Sequence, residues 1–192
     1  MKNIFLILLA ALSFTFCKAQ VPAGTPIIPL NSVNDDSFNL TNNGAYFKDT
    51  DNKFDQWVGT WQYTNGNTIF KIEIQKIEGV YFPANLTHFP LPINCYMDVL
   101  IGGYYYEVNG VVISNHLAIL DTLRPPLRCS GAHTTPENIN IFYKEYEKAP
   151  NLSGWFVDFV LLPGSTTQAT WTFDSSRKRN YSVPDNVILT KL

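Results

Sequence analysis

The sequence has few charged residues, and this shortage excludes some classes of protein. Charged side chains make up 16% of the 192 residues, below the usual quarter, so nucleic acid and other polyelectrolytes are not favoured as partners. Aromatic residues make up 14% and hydrophobic residues 45%, which excludes a disordered chain. A domain of this length buries roughly 70% of its unfolded surface. The composition therefore predicts one folded domain that needs no cross-link.

Long apolar segments are also lacking, apart from one at the N-terminus. Lys2 precedes an apolar run over residues 4–12, and residues 17–19 place small side chains where a signal peptidase cleaves. We predict a signal peptide over residues 1–19 and an exported protein, periplasmic or extracellular. The apolar run is far shorter than the ~20 residues of a membrane span, so no transmembrane segment is expected.

The signal peptide carries a cysteine and two of the basic residues. Cys17 leaves a lipid anchor open as an alternative, although the bulky Phe16 stands where a small residue is expected. Loss of Lys2 and Lys18 leaves 12 basic and 16 acidic side chains, a net charge of −4. This mild negative charge disfavours nucleic acid or anionic lipid as a partner.

Cysteine is scarce, since only Cys95 and Cys129 follow the signal peptide. Disulfides persist in the compartments that exported proteins reach. We therefore predict a disulfide between Cys95 and Cys129. Two buried thiols are the alternative, because spacing alone does not bring two Cα atoms together.

No segment carries a long apolar stripe at helical spacing, which excludes βαβ units. Residues 20–45 are rich in proline and asparagine and lack periodicity, so they read as an extended arm. In the rest of the chain, a single domain over residues 46–192, short runs of β-branched and aromatic residues alternate with turn signals. Strands are predicted at residues 57–63, 68–77, 95–108, 111–114, 138–147, 155–162, 170–174 and 187–191.

Two Asn-Gly pairs mark tight hairpin turns in this pattern. Asn65-Gly66 suits a type I′ turn, and Asn109-Gly110 is a second tight signal. The only helical feature is one turn over residues 52–58, which Asp51 can cap. The fold predicted from these strands is an all-β antiparallel barrel of about eight strands, lipocalin-like, with a two-sheet sandwich as the alternative.

Motifs that carry catalysis or bind metal are missing. There is no Gly-x-Ser-x-Gly elbow, and none of the three histidines has a second histidine at ligand spacing. Cys129 and His133 could share a metal, but the disulfide explains Cys129 better. Asp49, Asp51 and Asp55 begin like a calcium loop, which then lacks the required glycine and the closing glutamate. No catalytic residue, metal site or cofactor is predicted.

Aromatic residues are the candidate binding groups. Tyr104 and Tyr106 share one face of a predicted strand, and Trp155 and Trp171 could extend the same surface. Flat aromatic faces with a hydroxyl at the rim suit sugars or apolar ligands. Cross-strand packing inside the sheet is the alternative interpretation.

Three segments carry a family resemblance: residues 43–49 (NGAYFKD), 55–61 (DQWVGTW) and 184–191 (PDNVILTK). With them the chain resembles a family of secreted proteins of unknown function, known mainly from flavobacteria. The resemblance implies a bacterial exported protein and implies no activity.

Gly59 and Trp61 also resemble the Gly-x-Trp opening of lipocalin-type barrels. That resemblance implies structural roles for both residues, with the tryptophan closing the barrel floor and a basic side chain from a late strand lying across it. The candidates for the basic residue are Arg177 and Lys191. The alternative is that Trp57 and Trp61 are simply core anchors.

These observations favour an exported, non-enzymatic barrel that binds a small apolar or sugar-like ligand or an envelope protein. Its binding end would be rimmed by residues 79–94 and 121–137. The alternative is a solid-core structural or interaction module of the envelope, and an enzyme is a third hypothesis for which no residues can be named. The volume of the barrel interior separates the first two.

Overall fold

The chain forms an all-β structure with almost no helix. The computed structural model describes residues 21–32, 40–84, 93–118, 125–129, 137–145, 154–174 and 182–192. Two 3-10 turns, Leu30–Ser32 and Leu40–Asn42, are the helical segments in these ranges. Eleven strands make up the rest of the regular structure: β1 (Ile27–Pro29), β2 (Tyr46–Lys48), β3 (Gly59–Asn65), β4 (Thr68–Phe82), β5 (Cys95–Val108), β6 (Val111–Asn115), β7 (Leu127–Cys129), β8 (Asn138–Tyr143), β9 (Trp155–Leu161), β10 (Gln168–Phe173) and β11 (Val187–Lys191).

Eight of the strands close into an antiparallel barrel. Going round the wall, the order is β3, β4, β5, β7, β8, β9, β10 and β11, and β11 pairs with β3 again. This is also their order along the chain, so the barrel is an up-and-down meander closed between its first and last strands. The closing ladder is short, with Thr190 opposite Gln62 and Lys191 opposite Trp61.

Strand β5 carries three different segments along one of its edges. The parallel strand β2 pairs near its start, β7 pairs in its middle, and β6 pairs near its end. Strand β1, which lies within the predicted N-terminal arm, adds to β2 in parallel. Two groups of strands are therefore attached to the barrel, β1 with β2 near the start of β5 and β6 near its end.

The prediction of an eight-stranded barrel is confirmed, although one of the eight strands differs. The sequence pattern counts β6, which lies outside the barrel, and misses β7, a barrel strand of three residues. The segment that contains β7 reads as a stiff connection because Pro125 and Pro126 precede it. Such a short strand carries no alternation that a sequence could reveal.

Both Asn-Gly pairs form hairpin turns, but of different kinds. Asn109 and Gly110 have φ values of 52° and 76°, as a type I′ turn requires. In the other hairpin Asn65 pairs with Thr68, so the central residues are Gly66 and Asn67. Only Gly66 has a positive φ there, as in a type II′ turn, and the predicted type I′ turn is wrong.

The described core is dominated by aromatic side chains. Inward positions alternate with outward ones along β4, β8, β9 and β10. On β5 the alternation fails, since every residue from Met97 to Tyr104 is buried. The largest fully buried side chains are Trp57, Trp61, Trp171, Tyr104, Tyr143, Phe47, Phe54, Phe70, Phe82 and Phe159.

Candidate functional site

The four aromatic residues predicted to bind a ligand all lie in the barrel wall and face other core rings. Tyr104 and Trp171 are 0% exposed and Trp155 is 6% exposed. Tyr106 is partly buried and packs edge-on against Phe70, with 6.4 Å between the ring centroids. The structure brings these residues together, but as parts of one packed cluster.

Trp171 stands at the centre of that cluster. Its ring lies 5.3 Å from Phe70, 6.1 Å from Phe159, 6.1 Å from Tyr143 and 5.9 Å from Phe173, each measured between centroids. These separations are those of aromatic rings in direct contact. Trp171 therefore has core rings where a ligand would have to lie.

A small pocket with apolar walls lies between β4, β5, β7 and β8. Its volume is about 10 Å³, and its walls include Ile74, Leu100, Leu127, Cys129 and Ile141. A space of this size holds at most one water molecule, and apolar walls offer that water no partners. Tyr143, Phe159 and Trp171 are 0% exposed, so these rings leave no water-accessible space against them in the described part of the interior.

The barrel floor is built around Gly59 and Trp61. Trp61 donates a hydrogen bond from its indole N–H to the carbonyl oxygen of Trp57 at 2.9 Å. Both indoles contact Phe159, at 5.3 Å from Trp57 and 5.0 Å from Trp61. Residues 49–58, which precede the first barrel strand, are called the plug, because their Trp57 side chain closes this end of the barrel.

Lys191, at the end of the last strand, lies across the floor tryptophan. Its Nζ is 5.4 Å from the Trp61 ring centroid and donates a hydrogen bond to the carbonyl oxygen of Gln56 at 2.7 Å. A Cβ at Gly59 would sit 3.1 Å from Lys191 Cε, and Gly59 has a φ of 129°, so a side chain there would be strained. Burial lowers the pKa of Lys191. This arrangement is the one that the Gly-x-Trp resemblance implied, with Lys191 as the basic residue; Arg177 lies outside the described residues.

A buried carboxylate joins three segments beside the floor. Asp98, 0% exposed on β5, accepts hydrogen bonds from the hydroxyl of Tyr46 at 2.5 Å and from the backbone N–H groups of Asp49 and Gly79, each at 2.9 Å. Burial and this contact raise the pKa of Tyr46 well above its ordinary value of 10. Asp98 thereby fixes β2, the plug and the bulge in β4 to one point.

A second buried carboxylate, Asp49, holds the turn at the start of the plug. It accepts hydrogen bonds from the backbone N–H groups of Lys53 at 2.9 Å and Phe54 at 3.1 Å, and it pairs with Lys76 Nζ at 2.8 Å. The prediction that Asp51 caps this turn is wrong, since Asp51 is exposed and accepts instead from the side chain of Asn31. The turn begins at Asp49, where Asn52 N–H donates to the Asp49 carbonyl oxygen, two residues before Asp51. Asp49 therefore accepts from the amides that were assigned to Asp51.

The two cysteines do not form the predicted disulfide. Both are buried. Cys129 pairs with Leu100, five residues along β5 from Cys95, which separates the two Cα atoms by roughly 16 Å at ~3.3 Å per residue. A disulfide needs about 4.4–6.8 Å. Burial raises the pKa of the Cys95 thiol to about 11, so the thiol stays protonated.

A groove of about 570 Å³ lies on the outside of the barrel, where β3 and β11 diverge above their short ladder. It offers amide and hydroxyl groups beside aliphatic side chains, and no charged side chain lines it. Its walls are Gln62, Tyr63, Thr64, Asn186, Val187, Ile188, Thr190 and Leu192. The sequence does not reveal this groove, because its walls come from two strands that are far apart in sequence.

Metal ligands do not cluster in the described ranges, where no three His, Cys, Asp or Glu side chains meet. His88, His133 and most of the two predicted rim segments lie outside these ranges. No helix in the described part of the chain is long and apolar enough to span a membrane.

Comparison with protein families matches residues 1–154 to the family of unknown function DUF6705. The chain belongs to the DUF6705 family. The match includes the plug, the Gly-x-Trp segment and strands β1 to β8, whereas the C-terminal segment of the sequence resemblance lies beyond it. No curated protein matches the chain, and no solved structure does.

The residues that sequence reasoning missed are the polar ones. Asp98 could have been identified from the sequence as a buried polar residue, since it is the one charged residue in the apolar run over residues 95–101. A charge at such a place is almost always paired. Its partners Tyr46 and Gly79 could not be read from the sequence, because they come from other segments.

Proposed function

We propose that this protein is an exported, non-enzymatic barrel that serves as an interaction module of the bacterial envelope. The single observation that carries the proposal is the packed aromatic core, where the fully buried Trp171, Tyr143 and Phe159 occupy volume that a carrier barrel would leave for its ligand. A module without an internal site acts through its outer surface.

The N-terminal sequence supports the exported location. Residues 1–19 have the charge, apolar run and small residues of a signal peptide. With Gln20 as its first residue, the mature protein would be released into the periplasm or beyond. The alternative is an exported protein that is anchored by a lipid on Cys17.

Mass spectrometry of the protein from its native host tests both parts. Under denaturing conditions we expect the mass of residues 20–192, and a heavier form beginning at Cys17 would assign the lipid anchor. Under native conditions we expect the same mass with nothing bound. Recovery of the uncleaved chain from the cytosol contradicts export, and a co-purified lipid or glycan contradicts the solid-core module.

A second candidate, binding of a small neutral ligand on the outer surface, is favoured by the groove between β3 and β11. Its volume of about 570 Å³ falls in the range of ligand sites, and its uncharged amide and hydroxyl groups suit a sugar. Titration calorimetry with neutral hexasaccharides tests it. Binding that Thr64→Trp removes and Thr172→Trp, on another outer face, preserves would establish this site; no heat with any hexasaccharide would refute it.

A further inference from the structure

Among the described residues, strand β6 lies at an edge of the sheet. In the described structure it pairs with β5 on one side only, in a hairpin that extends past the end of β7. A second open edge in the described sheet is β1, which adds through β2 to the same edge of β5 near its start. Open edges present backbone N–H and C=O groups that another strand can pair with, so proteins normally protect them.

The two edges differ in how they are protected. Pro26 and Pro29 lie at and beside β1, and proline cannot donate to an added strand. Residues 108–118, which include β6, contain no proline and no charged side chain. The only irregularity is a β-bulge, which leaves Ile113 without a partner on β5.

Three consecutive aliphatic side chains on β6 are exposed. The exposed fractions are 60% for Val111, 52% for Val112 and 47% for Ile113. No charged side chain lies beside these exposed aliphatic residues in the sequence, although such charges normally protect an apolar strand from pairing. Such a run is typical of a surface that is covered in the functional state.

The hairpin that presents β6 is braced by its neighbour. The N–H of Asn109 donates to the carbonyl oxygen of Asn67 at 2.9 Å, and the Asn67 side chain donates to Asn109 Oδ1 at 3.4 Å. The turn of β3 and β4 therefore holds the turn of β5 and β6. A braced edge loses little conformational entropy when it pairs.

We propose that β6 pairs in antiparallel register with β6 of a second copy of this chain. The edge accepts an extended, uncharged strand with β-branched side chains, and β6 is itself such a strand. A two-fold axis then sets the same patch against itself, and no like charges oppose each other across the contact. The two sheets would continue into one another. This self-association goes beyond the proposed envelope role and does not depend on it.

Sedimentation equilibrium of the purified mature chain tests the pairing, at concentrations from about 5 µM to about 500 µM because a five-residue edge binds weakly. We expect the average mass to rise from that of one chain towards that of two. Val112→Lys should weaken the association at least about tenfold. Ile27→Lys, a matched control at an aliphatic residue 58% exposed on the proline-protected strand β1, should associate as the wild type does.

Several outcomes would overturn the proposal. A wild-type protein that stays monomeric at the highest concentration refutes it, as does a Val112→Lys variant that associates normally. Monomeric protein that sediments with phosphatidylethanolamine vesicles through the same residue would assign the apolar run to a membrane instead. Circular dichroism and thermal unfolding show that each variant is folded. None of these results bears on whether the interior is filled.

Discussion

At the scale of single residues, the buried Asp98 is the polar side chain that joins β2, the plug and β4 beside the floor. Its carboxylate accepts from three donors that belong to three separate segments of the chain. A buried carboxylate deprived of a donor carries a desolvation cost of about 1–3 kcal/mol or more. Removing any one donor should therefore destabilise the whole floor.

Replacing Tyr46 with phenylalanine tests this contact through its pH dependence. Tyr46→Phe should lower the free energy of unfolding by about 1–3 kcal/mol at neutral pH. The folded-state pKa of Tyr46 is raised above its unfolded value of 10, so the stability it contributes is present below pH 10 and lost as the pH rises further.

The difference in stability between wild type and Tyr46→Phe should therefore narrow from pH 9 to pH 11 in urea unfolding. Tyr81→Phe, which alters a tyrosine 44% exposed, is the control and should show a small and constant difference. A Tyr46→Phe difference that stays constant across this range would contradict the role assigned to Tyr46.

The two cysteine thiols give a second residue-scale prediction. Because Cys95 and Cys129 are buried and too far apart to bridge, we expect both to react with a thiol reagent in denaturant and Cys95 to be protected in the folded protein. Mass spectrometry after labelling counts the thiols. Identical masses under reducing and non-reducing conditions are expected, and a loss of two hydrogens in the non-reduced protein would contradict the register of β7.

Residue roles were predictable from the sequence where a local motif specifies them. Gly59 and Trp61 belong to one segment. Gly59 is needed there for its positive φ, and Trp61 lies at the floor of the barrel. The partners of Asp98 come from residues 46, 49 and 79, and the disulfide failed because sequence spacing carries no information about strand register. Local chemistry is readable from sequence, whereas the meeting of distant segments is not.

At the scale of elements, strand limits were predicted best where turn residues lie beside the strand. The limits of β5, which ends before Asn109-Gly110, and of β11, which follows Asp185-Asn186, agree with the prediction at both ends. Strand β4 runs on to Phe82, beyond the predicted end at residue 77, because a bulge shifts its register and breaks the alternation. Short strands such as β1, β2 and β7 form because longer neighbours offer them an edge, which no local pattern shows.

The plug segment gives the element-scale prediction. Asp49→Ala removes the cap of the turn and the buried partner of Lys76, so we expect a loss of about 2–4 kcal/mol in the free energy of unfolding. Asp51→Ala is the matched control, two residues away and exposed, with an expected loss below about 0.5 kcal/mol. Equal effects of the two substitutions in urea unfolding would show that the plug is capped differently.

At the scale of the whole molecule, the fold follows from closing a meander whose last strand returns to its first. The ladder between β11 and β3 is only two residue pairs long, so closure rests largely on packing, with Lys191 and Trp61 at the junction. The aromatic content, which excluded a disordered chain, is concentrated in the buried core around Trp171. This packing supports the proposal that the outer surface carries the function.

Trp171→Ala measures directly whether the interior is filled. In a packed core, truncating this fully buried ring should lower the free energy of unfolding by about 3–5 kcal/mol, and Trp171→Phe should have a smaller effect in the same direction. Phe156→Ala, at a ring 45% exposed on the outer face, is the control and should cost less than about 1.5 kcal/mol. A loss below about 1 kcal/mol for Trp171→Ala would mean that the ring borders open space, and would contradict the solid-core barrel.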